Sequence, residues 1–118
     1  MEDRQMPHRL LNAKMERLMM TSEECAEVIA ITSKIFRHGT ESHHPDDKDK
    51  TSNVALLRDE CIDVLAMIQV LLNHGDIAAI TTEEINQRMK DKLRYTHHQE
   101  ENARWSIMAT VLSTKPRQ

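Results

Sequence analysis

The sequence predicts an all-α protein, an antiparallel helical bundle, and three observations carry that expectation. Among 118 residues there are only two glycines, three prolines and three aromatics, too few turn formers and strand formers for a β fold. Leu, Ile, Met, Ala, Glu and Lys, all strong or tolerant helix formers, are abundant instead. The apolar residues also recur at spacings of three and four over long stretches, as one face of a helix requires. The length suits one domain spanning residues 1–118, able to bury roughly two thirds of its unfolded surface.

Taken in order, residues 1–7 are polar and end at Pro7, which suits a frayed helix start. From His8 a long amphipathic helix is expected through Leu10, Leu11, Met15, Leu18 and Met19, continuing through Ala26, Val28, Ile29, Ile35 and Phe36. Thr21 with Glu24 three residues later matches a capping box, so a kink near Thr21 is allowed for. Gly39 is the expected stop. Residues 39–52 contain no apolar side chain and predict a mobile polar loop, in which His43 and His44 belong to a chance Glu-x-x-His match next to Pro45. Asn53 is the expected cap of a second helix ending at His74-Gly75. That helix is apolar nearly all round, which places Glu60 and Asp63 in the most buried part of the chain. Thr81 or Thr82 caps a third helix with Ile85, Met89 and Leu93 as its stripe. The peripheral segment from about residue 99, with Trp105, Ile107, Met108, Val111 and Leu112, predicts a weak last helix or docking segment.

Charge and composition exclude several functions. A formal net charge of -3 with no basic run gives no electrostatic footprint for nucleic acid. No stretch reaches the roughly 20 apolar residues of a membrane span, and the first residues lack a signal-peptide layout, so a cytoplasmic protein is expected. Cys25 and Cys61 form no disulfide framework and are expected reduced and buried. Eight methionines replace aromatics as core filler.

The chemistry concentrates in two acidic clusters, Glu23-Glu24-Cys25-Ala26-Glu27 and Glu60-Cys61-Ile62-Asp63. Residues three and four apart share a helix face, so each cluster sets carboxylates side by side. At about 1.5 Å per residue, Glu24–Glu27 lies about 19 Å before the end of its helix, and Glu60–Asp63 about 13 Å after the start of the next. An antiparallel hairpin therefore brings the clusters within a turn of one another. Like charges in such a groove call for a cation, and an all-oxygen set without a helical histidine selects magnesium or manganese. Magnesium is commonly shared with substrate phosphates, which points to a phosphate ester or anhydride. Lys34 and Arg37, about 10 and 15 Å beyond Glu27 on the same helix, match the reach of a triphosphate; equally, they suit the negative end of the helix dipole.

Glu23-Glu24-x-x-Glu27 followed by Glu60-x-x-Asp63 resembles the EExxE, spacer, ExxD signature of the MazG-like all-α nucleoside triphosphate pyrophosphohydrolases. The wording Glu23–Ile29, Ser33–Gly39 and Asp63–Ala66 is similar to small single-domain members, many of them phage-encoded. The resemblance covers roughly residues 15–95, with a longer spacer than the family usually has and a looser match in the third helix. It implies a homodimer or dimer of dimers, magnesium held by Glu24, Glu27, Glu60 and Asp63, and Glu23 behind them or orienting water. It further implies phosphate contacts from Lys34, Arg37 and Lys92, and cleavage of a nucleoside or deoxynucleoside triphosphate to monophosphate and pyrophosphate. Tyr95 and Trp105 are candidates for core or for stacking on a base. Two other functions share the pattern: a phosphoribosyl-ATP pyrophosphohydrolase, and a non-catalytic interaction protein with an acidic groove.

Overall fold

The structure is a computed structural model that describes residues 12–99. They are helical throughout their regular parts: α1 is Ala13–His38, α2 Asn53–Asn73 and α3 Thr82–Leu93, with no strand among the described residues. The expected helical residues His8–Leu11 and the C-terminal segment with Trp105 lie outside them. No helix among the described residues is long and apolar enough to cross a membrane. The chain divides into two compact units, Met1–Asp76 and Ile77–Gln118.

In the first unit, α1 starts where the Asn12 side-chain oxygen accepts the Met15 N–H at 2.8 Å, satisfying one of the four free donors of the first turn. It then runs 26 residues without interruption through Thr21. The Thr21 hydroxyl donates back to the Arg17 carbonyl at 2.9 Å, so it serves the preceding turn and caps nothing. Gly39 ends the helix at φ 91°, a conformation open to glycine, with its N–H on the Ile35 carbonyl at 2.7 Å.

The cap of α2 corrects the expectation by one residue. Ser52 is the cap, its hydroxyl accepting the Ala55 N–H at 3.2 Å. That leaves Asn53 free for a tertiary role: it is 2 % exposed, and its Nδ2 donates to the Gly39 carbonyl at 3.0 Å. The Asn53 and Val54 N–H groups donate to the Ser42 and Thr40 carbonyls at 2.8 and 2.9 Å, so the end of α1 and the start of α2 are joined directly. Within the connecting loop the Asp47 carboxylate accepts the Asp49 and Thr51 N–H groups, which holds its pKa below the ordinary value. Because Asn53 is buried, Asn53→Ala leaves the Gly39 carbonyl short of a donor where water does not reach. A loss of about 1–3 kcal/mol is expected, readable as a fall in urea midpoint at unchanged slope.

At the other end of the hairpin, Gly75 at φ 70° turns the chain out of α2 and the Asp76 N–H returns to the Leu71 carbonyl. Arg17 donates through Nε and Nη2 to the two oxygens of the Asp76 carboxylate. The early residues of α1 thus meet the exit of α2, while the end of α1 meets the start of α2; the two helices are antiparallel. Ile31, Met67 and Leu71 are buried along this hairpin.

Two burial expectations are corrected. Within α2 the buried residues are Asn53, Met67 and Leu71, while Glu60 is half-buried and Asp63 exposed. Cys25 and Cys61 are unbridged, as expected, but both are exposed. For Glu60, Cys61 and Asp63 the reason is shared: α1 covers one side of α2, and the all-round apolar pattern does not say which. Methionine likewise divides, with Met67 buried and Met15, Met19 and Met20 exposed.

In the second unit, Thr81 caps α3 in a reciprocal box with Glu84. The Glu84 N–H donates to the Thr81 hydroxyl, and the Thr81 N–H donates to the Glu84 carboxylate. Ile80, Ile85, Met89 and Leu93 line an apolar groove of about 580 Å³ edged by Glu84, Arg88 and Lys92.

Candidate functional site

Glu24 on α1 and Glu60 and Asp63 on α2 converge. Each offers a carboxylate oxygen, and the three oxygens lie within 4.8 Å of one another. Three features of the chain bring this about. Glu60 and Asp63 are one turn apart and share a face of α2. The antiparallel hairpin, fixed by Asn53 at one end and by Arg17 with Asp76 at the other, sets their level along α1. The uninterrupted course of α1 through Thr21 then presents Glu24 to that level. Among the described residues no other group of three His, Cys, Asp or Glu side chains converges in this way.

The electrostatics follow from the geometry. The Glu24 pKa is raised above its ordinary 4.5, first by partial burial and then by the charges of Asp63, Glu27 and Glu23. Glu60 is raised too, first by partial burial, then by the charge of Glu27 and by its hydrogen bond and charge coupling to Asp63. All five acidic residues singled out in the sequence therefore act on one neighbourhood. Glu23 and Glu27 are exposed and reach it through their charge; Glu24, Glu60 and Asp63 reach it with their oxygens. Among the described residues no lysine, arginine or histidine forms an ion pair with any of the five.

Of the basic candidates, Lys34 is half-buried and Arg37 exposed, both in the last two turns of α1. Lys34 follows Glu27 by seven residues, about two turns, and so shares its face. Neither forms an ion pair among the described residues. Lys92 lies on α3 in the second unit, at the edge of that unit's groove. Tyr95 is 82 % exposed, with the Arg94 guanidinium 5.9 Å from its ring centre. The His44 ring accepts the Asp46 N–H and is exposed. The residue whose role the sequence missed is Asn53, since a polar residue next to a helix start looks like a cap whichever role it takes.

No protein-family model, curated protein or solved structure matches the chain.

The raised pKa values fix a sign. Folded Glu24 and Glu60 hold protons more tightly than the unfolded chain does, so their contribution to stability is present below the ordinary 4.5 and is lost as pH rises through the raised values. A cation at the three oxygens needs them deprotonated and reverses that loss. Thermal melts with magnesium should therefore show a gain near neutral pH that disappears below pH 4.5. Equal melting points with and without magnesium near neutral pH would count against a cation site.

Proposed function

We propose that the chain is a magnesium- or manganese-dependent nucleotide pyrophosphohydrolase that cleaves a nucleoside or deoxynucleoside triphosphate to the monophosphate and pyrophosphate. The observation that carries the reading is the meeting of Glu24, Glu60 and Asp63 from two helices, with their charges left uncompensated by any basic side chain among the described residues. Such an arrangement suits a hard divalent ion, for which oxygen donors are the preferred ligands. Glu24, Glu60 and Asp63 would hold it, with Glu27 adding negative charge beside them. Such an ion would supply charge neutralisation at the phosphate oxygens and a lowered pKa for water.

The chain's own residues do the rest. Lys34 and Arg37 bind the phosphate chain and set its direction, and Glu23 accepts a hydrogen bond from the attacking water. The water oxygen bonds to the α-phosphorus in line with the α–β bridging oxygen. The bond to that bridging oxygen breaks, pyrophosphate leaves with the electron pair, and the water's proton passes through Glu23 to solvent. Positioning and charge neutralisation account for the acceleration in this class of chemistry, and no covalent intermediate is required.

We place the enzyme as a homodimer or dimer of dimers for a separate reason. Leu18, Cys25, Ile29 and Phe36 are spaced seven, four and seven apart and so form one line along α1. All four are exposed, Ile29 by 66 % and Phe36 by 88 %. Since the hairpin is antiparallel, the residues that follow Glu24 and Glu60 turn to the same flank, which adds Cys61 and, seven residues before it, exposed Val54. An apolar flank of this length supports burial against a second copy. Ile29→Glu should shift the sedimenting mass from dimer or tetramer toward monomer; a wild-type chain that sediments as a monomer at all concentrations would remove the assembly from the proposal.

The reaction is tested by release of pyrophosphate from a panel of ribo- and deoxyribonucleoside triphosphates, with and without magnesium. Magnesium-dependent release from at least one of them is expected. Release of inorganic phosphate alone, or of nothing, would overturn it and leave a helical interaction protein as the better account of the apolar flank.

A further inference from the structure

We propose that a second copy of the α1–α2 hairpin lies flank to flank on the first, the two hairpins forming the two layers of a four-helix bundle, and that the acidic centre of each chain opens on the flank turned away from the partner. This rests on the homo-oligomer proposed above and adds which face it uses and where it leaves the acidic residues.

The first reason is that α1 carries two apolar stripes and the hairpin uses one. Val28, Ile31 and Ile35 are half-buried or buried. Met15, Leu18, Ser22, Cys25, Ile29 and Phe36 form the second stripe, spaced three, four, three, four and seven apart, and all six are exposed. Five of the six are apolar or thiol-bearing, and the alternation runs through three heptads, the pattern of a seam between packed helices. A helix that packs on one neighbour alone has a polar outer face.

The second helix continues the same surface. Val54, Leu57, Cys61, Leu65, Ile68 and Leu72 stand three or four apart along α2; Val54 and Cys61 are exposed and the other four are half-buried. Cys25 and Cys61 each follow a converging glutamate, so the antiparallel course sets the two stripes on one flank. Met15 to Phe36 spans about 32 Å, and two helices side by side about 20 Å. That footprint of roughly 600 Å² is on the scale of the roughly 800 Å² of accessible surface that each partner gives to a stable interface.

Charge then excludes the opposite flank. Glu23 and Asp59 precede the converging glutamates by one residue, and Glu27 and Asp63 follow them by three, which turns all four to the other side of the hairpin. All four are exposed. Packing that side on its own copy would set carboxylates against carboxylates, whereas the apolar flank meets its copy without such a cost. The acidic centre is thereby left open to solvent on the side where a cation would enter.

Thiol labelling reads the face directly. Cys25 lies midway between Met15 and Phe36, so full overlap of two such flanks covers it and Cys61 whichever way the second hairpin runs. Because access governs thiol rates, both should react with a maleimide about tenfold more slowly in the wild-type assembly than in Ile29→Glu or Phe36→Glu. Phe36 is 88 % exposed, so Phe36→Glu leaves the fold of the single chain intact and decides the matter if Ile29→Glu loses helix. A thiol placed on the opposite flank by Asp59→Cys should react equally fast with and without Phe36→Glu in the same chain, peptide mass mapping telling the three positions apart. Equal rates for Cys25 and Cys61 in assembled and dissociated protein would overturn this packing and leave the oligomer, as sedimentation reads it, in place. Protection of Asp59→Cys in the assembly would overturn it too, by setting the acidic flank against the partner. A wild type that sediments as a monomer at all concentrations removes the oligomer and this packing with it. Labelling rates do not depend on nucleotide hydrolysis, so the packing stands or falls apart from the proposed activity.

Discussion

Glu60→Gln is expected to remove pyrophosphate release while making the metal-free protein more stable. These two effects in opposite directions are what separate a cation site from an ordinary polar surface. The amide keeps the shape of the carboxylate and removes its charge. In the metal-free fold that charge sits in partial burial beside Glu27, Asp63 and Glu24, so its removal relieves repulsion and should raise the melting point near neutral pH. With magnesium present the same change would remove the charge from one of three converging carboxylates. Loss of a partner merely supporting a metal ligand costs roughly 10- to 100-fold, so loss of a ligand should reduce turnover by more than about a hundredfold. The stabilisation by magnesium should vanish with it. Retention of either turnover or the magnesium-induced shift in Glu60→Gln would sink the assignment of Glu60 as a ligand. A wild-type protein stabilised by magnesium through Glu60 but inert toward every triphosphate would keep the cation site and discard the hydrolase.

The hairpin and its acidic centre were legible in the sequence because local rules governed them. Gly39 and Gly75 stop their helices through positive φ, and Thr81, one of the two threonines expected as the cap of α3, takes that role. Counting along two helices joined at fixed ends was enough to bring Glu24 to the level of Glu60 and Asp63. What escaped was whatever depended on one helix covering another. Ser52 and Asn53 both suit a cap, and only the nearness of the Gly39 carbonyl decides which one takes it. An apolar pattern running all round α2 does not tell which flank α1 will cover, so Cys61 was expected inside and lies outside. Asp63 followed the same path and lies exposed.

The pair of Arg17 and Asp76 was the least legible of all, being 59 residues apart with no motif to announce it, and it yields the second large effect. Arg17 donates through Nε and Nη2 to the two oxygens of a carboxylate whose side chain is 4 % exposed, the paired geometry that suits guanidinium and not ammonium. Asp76→Ala leaves a partly covered guanidinium without its partner, and breaking such a pair from one side is more damaging than replacing both members. A fall of several degrees in melting point is expected for Asp76→Ala, with Arg17→Lys losing part of the pair's contribution and the double replacement by apolar residues less harmful than Asp76→Ala. The pH dependence has the opposite sign to that of the acidic centre. Asp76 is held below its ordinary 3.8, first by its hydrogen bond to Arg17, so its contribution is present above 3.8 and is lost as pH falls through the lowered value. Acid melts of Asp76→Ala should therefore converge on those of the wild type at low pH and diverge above it. Because this pair fixes the level at which α2 leaves α1, loosening it should also misplace Glu60 and Asp63 against Glu24. Magnesium should then stabilise Asp76→Ala less than the wild type near neutral pH, although Asp76 touches none of the three. A full-sized magnesium response in Asp76→Ala would show that the Asn53 end alone sets the register of the acidic centre.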